Sequence, residues 1–455
     1  MGAIASAIAP LPTALLRLVV GGWAVIVIGV AGLAVDVAQP WVTYLDEGPI
    51  RSDGLGYHVW TRLLLDGSLD ACRYPELGPS LLTLPAPSTD PDGVRCIDKY
   101  PPGLAVLRFP VMAPLVEQPR GDPLVTNDEH RAAYACALAA LVTTAAVVVR
   151  TARRLRIPSS WANVAVLAFT FGTGLFVFGT YNAGFTHVFS AMFVALLLYG
   201  LIRCLDGTRS WTVLLLMGAA GFFLVSIRNT GVLLVAGLVG TFVLALRHRR
   251  GLHGRLLARQ CLTGTWPALI GAFAAGVVQL GVNRAATGGW SLSSYGSETF
   301  LLDRPMQRSV LFSFERGLFS YTPIFAVVLA LGVAVRSTRW ATAVLAALIG
   351  AHVVLFGFWP SWELGGGAGF GHRGFIDLLP MAMLVLAAAL ARTTPRRRAV
   401  AAGAVLLCVV FALNLSLQMW NYEYPEFGVG ADAYWDHTFG PSALWRQALA
   451  RLAPF

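Results

Sequence analysis

Three polar segments of this chain hold the side chains that can do chemistry, and all lie outside the long apolar runs. The first contains an adjacent acidic pair, Asp46-Glu47, and then Arg51-Ser52-Asp53-Gly54-Leu55-Gly56-Tyr57-His58. A carboxylate in such a place can take the proton of a hydroxyl as a general base. Tyr57 and His58 follow Asp53 by about one helical turn and are expected to line the same pocket. Asp53 equally suits a plain helix N-cap, a position that Asp favours. The second segment reads Asp98-Lys99-Tyr100-Pro101-Pro102-Gly103, and Lys99 is the one lysine among 34 basic residues. The third runs Trp359-Pro360-Ser361-Trp362-Glu363, then a stretch with five glycines between 365 and 371, then His372-Arg373. A glycine run of that density cannot pack a core, but it lets backbone N–H groups approach an anion. Arg373 at its end can hold a phosphate through two N–H groups. The plainer alternative is a flexible tether whose arginine snorkels to lipid headgroups.

Other candidates are weaker. His187 opens an apolar run after Tyr181-Asn182-Ala183-Gly184-Phe185, either reaching the pocket or marking an interface. Arg228-Asn229 separates two apolar runs, where the arginine either meets a phosphate or ends a helix. No GK[ST] ending makes the glycine segment a nucleotide loop, and no G-x-S-x-G supplies a nucleophile. Apart from Asp46-Glu47, no acids or histidines have metal-ligand spacing. No cofactor or metal is therefore expected, with a divalent ion left open at that pair.

These segments must be positioned by elements of one kind. Of 455 residues, 56% are apolar and 13% charged, against about 25% charged in soluble domains, and mean hydropathy is +0.64. Too few polar groups remain to cover a soluble surface. The expectation is an all-α polytopic helix bundle spanning a membrane. Eleven runs approach the ~20 residues that a span needs: 15–35, 132–149, 161–180, 187–202, 212–227, 231–246, 265–283, 318–335, 341–358, 375–391 and 399–418. Arginine fills every second connection: Arg150 to Arg156, Arg203 and Arg209, Arg247 to Arg259, Arg336 and Arg339, Arg392 to Arg398. By the positive-inside rule these stay cytoplasmic. With Arg17 they hold 18 bases and one acid (Asp206), so 23 of the 24 acids lie away from the cytoplasmic connections. The N-terminus is then inside and the C-terminus outside, and the first span reads as a retained anchor. The net charge of +10 faces the anionic inner leaflet, so nucleic acid is not needed to explain it. Four outside segments result: 36–131, 284–317, 359–374 and the tail 419–455. Within the first, Leu55–Leu65 and Leu104–Leu115 have the pattern of helices lying along the interface. Glycines in the spans, among them Gly172, Gly174, Gly179, Gly218 and Gly221, predict close helix packing.

The order of these patches resembles the glycosyltransferase-C superfamily: an acid in a large first outside loop, two interfacial helices, a Tyr-Pro-Pro-Gly segment, and a Trp-Glu-x-Gly-Gly loop leading to an arginine. The stretch Phe314-Glu315-Arg316-Gly317-Leu318-Phe319-Ser320-Tyr321-Thr322-Pro323 is also similar to bacterial members. The resemblance implies an enzyme of the plasma membrane that moves a sugar, mannose most often, from a polyprenyl-phosphate donor. The acceptor would be an extracytoplasmic glycan, lipid or protein, and the anomeric centre would invert. Carried onto this chain, Asp53 is the base with Asp46 and Glu47 as alternatives. Arg373, with His372 or Lys99, holds the donor phosphate. Tyr57, His58, Tyr100, Glu363 and His187 line the pocket. Members often place the acidic pair directly after the first span. Here Asp46-Glu47 precedes Asp53 by only a few residues, which leaves the base open between them.

Two other classes compete with this reading. A protein that only binds or translocates a lipid-linked sugar should show inverted repeats and mid-span charges, and neither is evident. A lipid phosphatase or acyltransferase would need a histidine or Arg/His signature that is absent. Cys72 and Cys96 alone fall in outside loops and are expected to pair, in a compartment that permits disulfides. Cys136, Cys204, Cys261 and Cys408 lie in or beside spans.

Overall fold

In lipid every backbone N–H and C=O must be satisfied within its own segment, so long apolar runs close into helices. The computed structural model describes residues 22–38, 48–74, 82–83, 97–116, 125–291, 295, 300–314, 316–359 and 371–421, and over these it is helical almost throughout. The helices are α1 (Trp23–Ala38), α2 (Asp53–Leu65), α3 (Gly103–Met112), α4 (Asn127–Arg154), α5 (Ser159–Phe171), α6 (Leu175–Gly179), α7 (His187–Leu205) and α8 (Trp211–Ile227). They continue as α9 (Gly231–Arg250), α10 (Gly254–Thr287), α11 (Gln307–Phe312), α12 (Leu318–Tyr321), α13 (Ile324–Ala334), α14 (Arg339–Gly357), α15 (Leu379–Arg392) and α16 (Pro395–Asn421). A 3₁₀ segment, Arg373–Leu378, leads into α15. The one ladder among the described residues pairs β1 (Leu82–Thr83) antiparallel with β2 (Ile97–Asp98).

Six of these segments are long and apolar enough to cross a membrane: 127–154, 187–205, 254–286, 339–357, 373–392 and 395–415. The other expected spans are shorter apolar helices. Run 161–180 breaks at Gly172–Gly174 into α5 and α6, and run 318–335 breaks at Thr322-Pro323 into α12 and α13. Glycine and proline interrupt a helix without reducing hydropathy, so a count of apolar residues passes over both breaks.

α15 is apolar on every face and buried along nearly its whole length, the pattern of a helix surrounded by others. α10 and α16 instead expose Phe273, Ile270, Leu406 and Leu407 to the exterior. The expected close packing occurs between α8 and α10. A Cβ on Gly221 would meet the Ala268 carbonyl at 2.2 Å, and one on Gly271 would meet the Gly218 carbonyl at 2.0 Å.

Helix direction separates two ends. Arginines gather at the C-termini of α4, α7 and α15 and at the N-terminus of α16. Glu129, His187, Arg228 and Arg373 sit at or next to the opposite termini of α4, α7, α8 and α15.

Candidate active site

Asp53 is the first residue of α2, so it lies one position past the N-cap. Ser52 is the cap, at φ 48°, and makes no side-chain capping bond. A non-glycine residue with that φ is strained, and here the strain precedes the candidate base. The Asp53 carboxylate is engaged elsewhere. Oδ1 accepts from the Tyr100 hydroxyl at 2.8 Å, and Oδ2 accepts from Arg373 Nη2 across 320 positions of sequence. The two side chains of the ion pair are 19% and 17% exposed. Burial raises the Asp53 pKa, but the Arg373 charge, the Tyr100 hydroxyl and Lys99 outweigh it and hold the carboxyl below its usual range.

Close approach of backbone and ring puts Tyr100 there. A Cβ on Gly56 would lie 2.3 Å from the Tyr100 ring, so only glycine lets the ring lie flat on α2. Trp60 Nε1 donates to the Tyr100 carbonyl at 2.7 Å, and Asp98 Oδ1 accepts from the Tyr100 N–H at 2.9 Å. Gly103 completes the segment by seating α3 on Ser226, whose carbonyl would be 2.3 Å from an added Cβ. Burial, reinforced by Asp53, pushes the Tyr100 hydroxyl far above its ordinary pKa, so it remains a donor. Tyr57 packs against Tyr100 with ring centroids 4.7 Å apart. Its hydroxyl is pushed up to about 12, chiefly by burial. Lys99 Nζ lies 5.6 Å from the Tyr100 ring centre and 6.0 Å from that of Tyr295. Tyr295 in turn meets Trp359, so segments 284–317 and 359–374 both reach this neighbourhood.

Arg373 lies over the Phe185 ring at 5.2 Å, and its Nη1 has no hydrogen-bond partner among the described residues. Behind it stands a second ion pair. Arg228 Nη1 donates to Asp377 Oδ2 at 2.8 Å and lies 2.9 Å from His187 Nδ1. Asp377 is 1% exposed. A buried carboxylate is tolerable beside such a guanidinium, which in turn orients His187. Burial, with the neighbouring Arg373 charge, pushes His372 down to about 3. A neutral imidazole can give one hydrogen bond to a phosphate but no charge.

Of the expected residues, Asp53, Tyr57, Lys99, Tyr100, His187, His372 and Arg373 therefore meet at one end of the bundle. His58 does not. One position beyond Tyr57, it turns to the other side of α2, where its Nε2 bonds Glu129 Oε1 at 2.9 Å. Arg62 joins the same carboxylate at 3.2 Å, and the Thr126 N–H at 2.6 Å. This buried cluster ties α2 to the start of α4 and is separate from the Asp53 pocket. Along α2, Tyr57 through Leu63 are all buried within the protein. Asp46, Glu47, Glu363 and Cys96 lie outside the described residues, as does the side chain of Cys72. Asp377 was missed altogether. Its signal was faint: one acid inside an apolar run, four residues after Arg373. Among the described residues no three His, Cys, Asp or Glu side chains form a metal-binding group.

No protein-family model matches this chain, and a search of characterised proteins returns no match.

Proposed function

We propose that the chain is a membrane glycosyltransferase. It would transfer a sugar from a polyprenyl-phosphate donor to an extracytoplasmic glycan, lipid or protein acceptor. The observation that carries this reading is the meeting of Asp53 with Arg373. The chain spends eleven apolar runs and three polar segments to bring one carboxylate and one phosphate-type cation together in a mostly buried place. In this reading the bundle sits in the plasma membrane with eleven crossings, some of them by paired short helices. The N-terminus is inside, and the Asp53 end faces out, away from the arginine-rich loops.

The chemistry follows from the side chains present. The acceptor hydroxyl oxygen attacks the anomeric carbon, and its proton passes to Asp53. The bond from that carbon to the phosphate oxygen breaks on the opposite face, giving inversion. The departing phosphate gains charge, which Arg373 and Lys99 offset. Arg373 Nη2 holds the carboxylate while Nη1 has no partner among the described residues. One guanidinium can thus bridge base and phosphate and keep them at a constant separation. The donor is a substrate, and no cofactor enters this scheme.

The test is product analysis. Membranes from cells lacking the protein, with and without the chain restored, are given a panel of polyprenyl-phosphate sugars. A new glycosylated product only when the chain is restored supports the reading. Binding without turnover for every donor would favour a carrier of lipid-linked sugar instead.

A further inference from the structure

A group of buried polar atoms that the reaction scheme leaves unused lies near Arg228 and its partner Asp377. Asp377 Oδ1 has no hydrogen-bond partner among the described residues, and neither have His352 Nε2 or the two ring nitrogens of His372. His352 and Asp377 are 0% and 1% exposed. Buried polar atoms of this kind call for a partner, and four in one neighbourhood offer a polar ligand a place to bind. They share walls. The His372 ring lies 4.9 Å from Phe356 and 5.0 Å from Phe375, and the His352 ring lies 6.0 and 6.1 Å from the same two. Phe375 is two residues before Asp377, and Gly374 lets the chain press on the Phe356 ring, which an added Cβ would meet at 2.3 Å.

The hydrogen-bond sense of these atoms selects the ligand. His352 Nδ1 lies 2.9 Å from the Leu348 carbonyl and must carry the proton there. Nε2 is then a bare lone pair. Asp377 Oδ1 is also an acceptor, and neutral His372 offers one donor and one acceptor. A phosphate, which only accepts, would face two lone pairs and be repelled. An ammonium would face the paired but adjacent guanidinium groups of Arg228 and Arg373. A hydroxyl donates and accepts, and several hydroxyls on one ring suit this set. Aromatic walls beside planar polar groups match the alternating apolar and polar faces of a sugar. We infer that Asp377, His352 and His372 form the donor-sugar subsite, which reads the hydroxyl groups of an uncharged sugar. This rests on the glycosyltransferase reading above and adds to it the class of sugar: neutral, neither a uronic acid nor an amino sugar.

The experiment uses the full chain in lipid nanodiscs. Binding is measured for farnesyl phosphate, for farnesyl phosphate carrying mannose, glucose, galactose or arabinofuranose, and for monodeoxy analogues of the best-bound sugar. The wild-type chain should bind at least one deoxy analogue about 10–100-fold more weakly than its parent, because a buried acceptor is left unpaired. His352→Phe keeps an aromatic ring in the cluster and removes the acceptor. It should lose that discrimination to within about threefold and leave affinity for bare farnesyl phosphate unchanged. Asp377→Asn should relax discrimination against a different hydroxyl. If His352→Phe retains wild-type discrimination against every analogue, or weakens farnesyl phosphate as much as the sugar-bearing lipid, the subsite is overturned while the enzyme reading stands. If the wild-type chain binds none of these lipids, the enzyme reading falls and takes the subsite with it.

Discussion

Replacing Asp53 with Asn separates two roles that the structure superimposes on one carboxylate. The amide can still accept the Tyr100 hydroxyl, so local shape is kept, but it can neither neutralise Arg373 nor take a proton. At a typical ion-pair separation of about 4 Å and an effective dielectric near 20, the lost attraction is about 4 kcal/mol before desolvation is subtracted. Breaking a fully buried pair costs about 3–5 kcal/mol, and an exposed pair is worth about 0–1. With side chains 19% and 17% exposed, the pair lies between these limits, and a loss of about 2 kcal/mol in stability is expected. The double variant Asp53→Asn/Arg373→Gln should recover most of it, because no charge is then left unpaired. Turnover should fall by about 10²–10⁴-fold, as for loss of a general base. Donor affinity should stay level or tighten, since the guanidinium no longer shares itself with a carboxylate. The assay is transfer from the donor that the panel identifies, with donor binding and thermal unfolding measured on the same preparations. Near-normal turnover by Asp53→Asn would refute the base assignment. If Asp46→Asn or Glu47→Gln were then inactive, the base lies in that pair. If neither were, the base assignment moves to Glu363 or the enzyme reading is given up. Loss of donor binding with unchanged turnover of bound donor would make Asp53 a positioning residue for Arg373.

Arg373→Gln should move the acidic limb of the rate–pH profile upward. Burial raises the Asp53 pKa and Arg373 is the largest influence lowering it, so its removal leaves burial less opposed; an unmoved limb would refute the coupling. With Arg373 present, the stability contributed by ionised Asp53 is complete above the ordinary carboxyl value of 3.8 and lost as pH falls through its lower folded value, which acid unfolding of wild type against Asp53→Asn measures. Gly56→Ala forces a Cβ to within 2.3 Å of the Tyr100 ring and should cost about 1–3 kcal/mol by overpacking, with turnover falling because Tyr100 is displaced from Asp53. Reporter fusions at Arg250 and Arg397 should report cytoplasm, and fusions near Asp90 and after Tyr424 the outside; a cytoplasmic C-terminus would remove one crossing.

Sequence alone determined the material and the plan of this protein. Composition demanded a helical membrane bundle because so few polar residues cannot cover a soluble surface, and that follows from a sum over residues with no need of contacts. Placement of arginine separated two sides for the same reason. It also marked Asp53, Tyr57, Tyr100 and Arg373, since a carboxylate, a Pro-Pro-Gly segment and a glycine-rich run ending in arginine stand out against apolar surroundings. Only the tertiary structure decided which of these meet. Arg373 reaches Asp53 across 320 positions, and no local pattern encodes a pairing at that distance. His58 and Tyr57 are neighbours in sequence with almost equal claims. The 100° turn per residue of a helix sends one to Asp53 and the other to Glu129. Asp377 carried only a faint signal for a related reason. A single acid in an apolar run has no meaning until its counter-charge is known, and Arg228 comes to it from another helix 149 positions away. Local steric and solvation preferences are properties of types and neighbours, whereas a site is made by which helix ends the packing brings together.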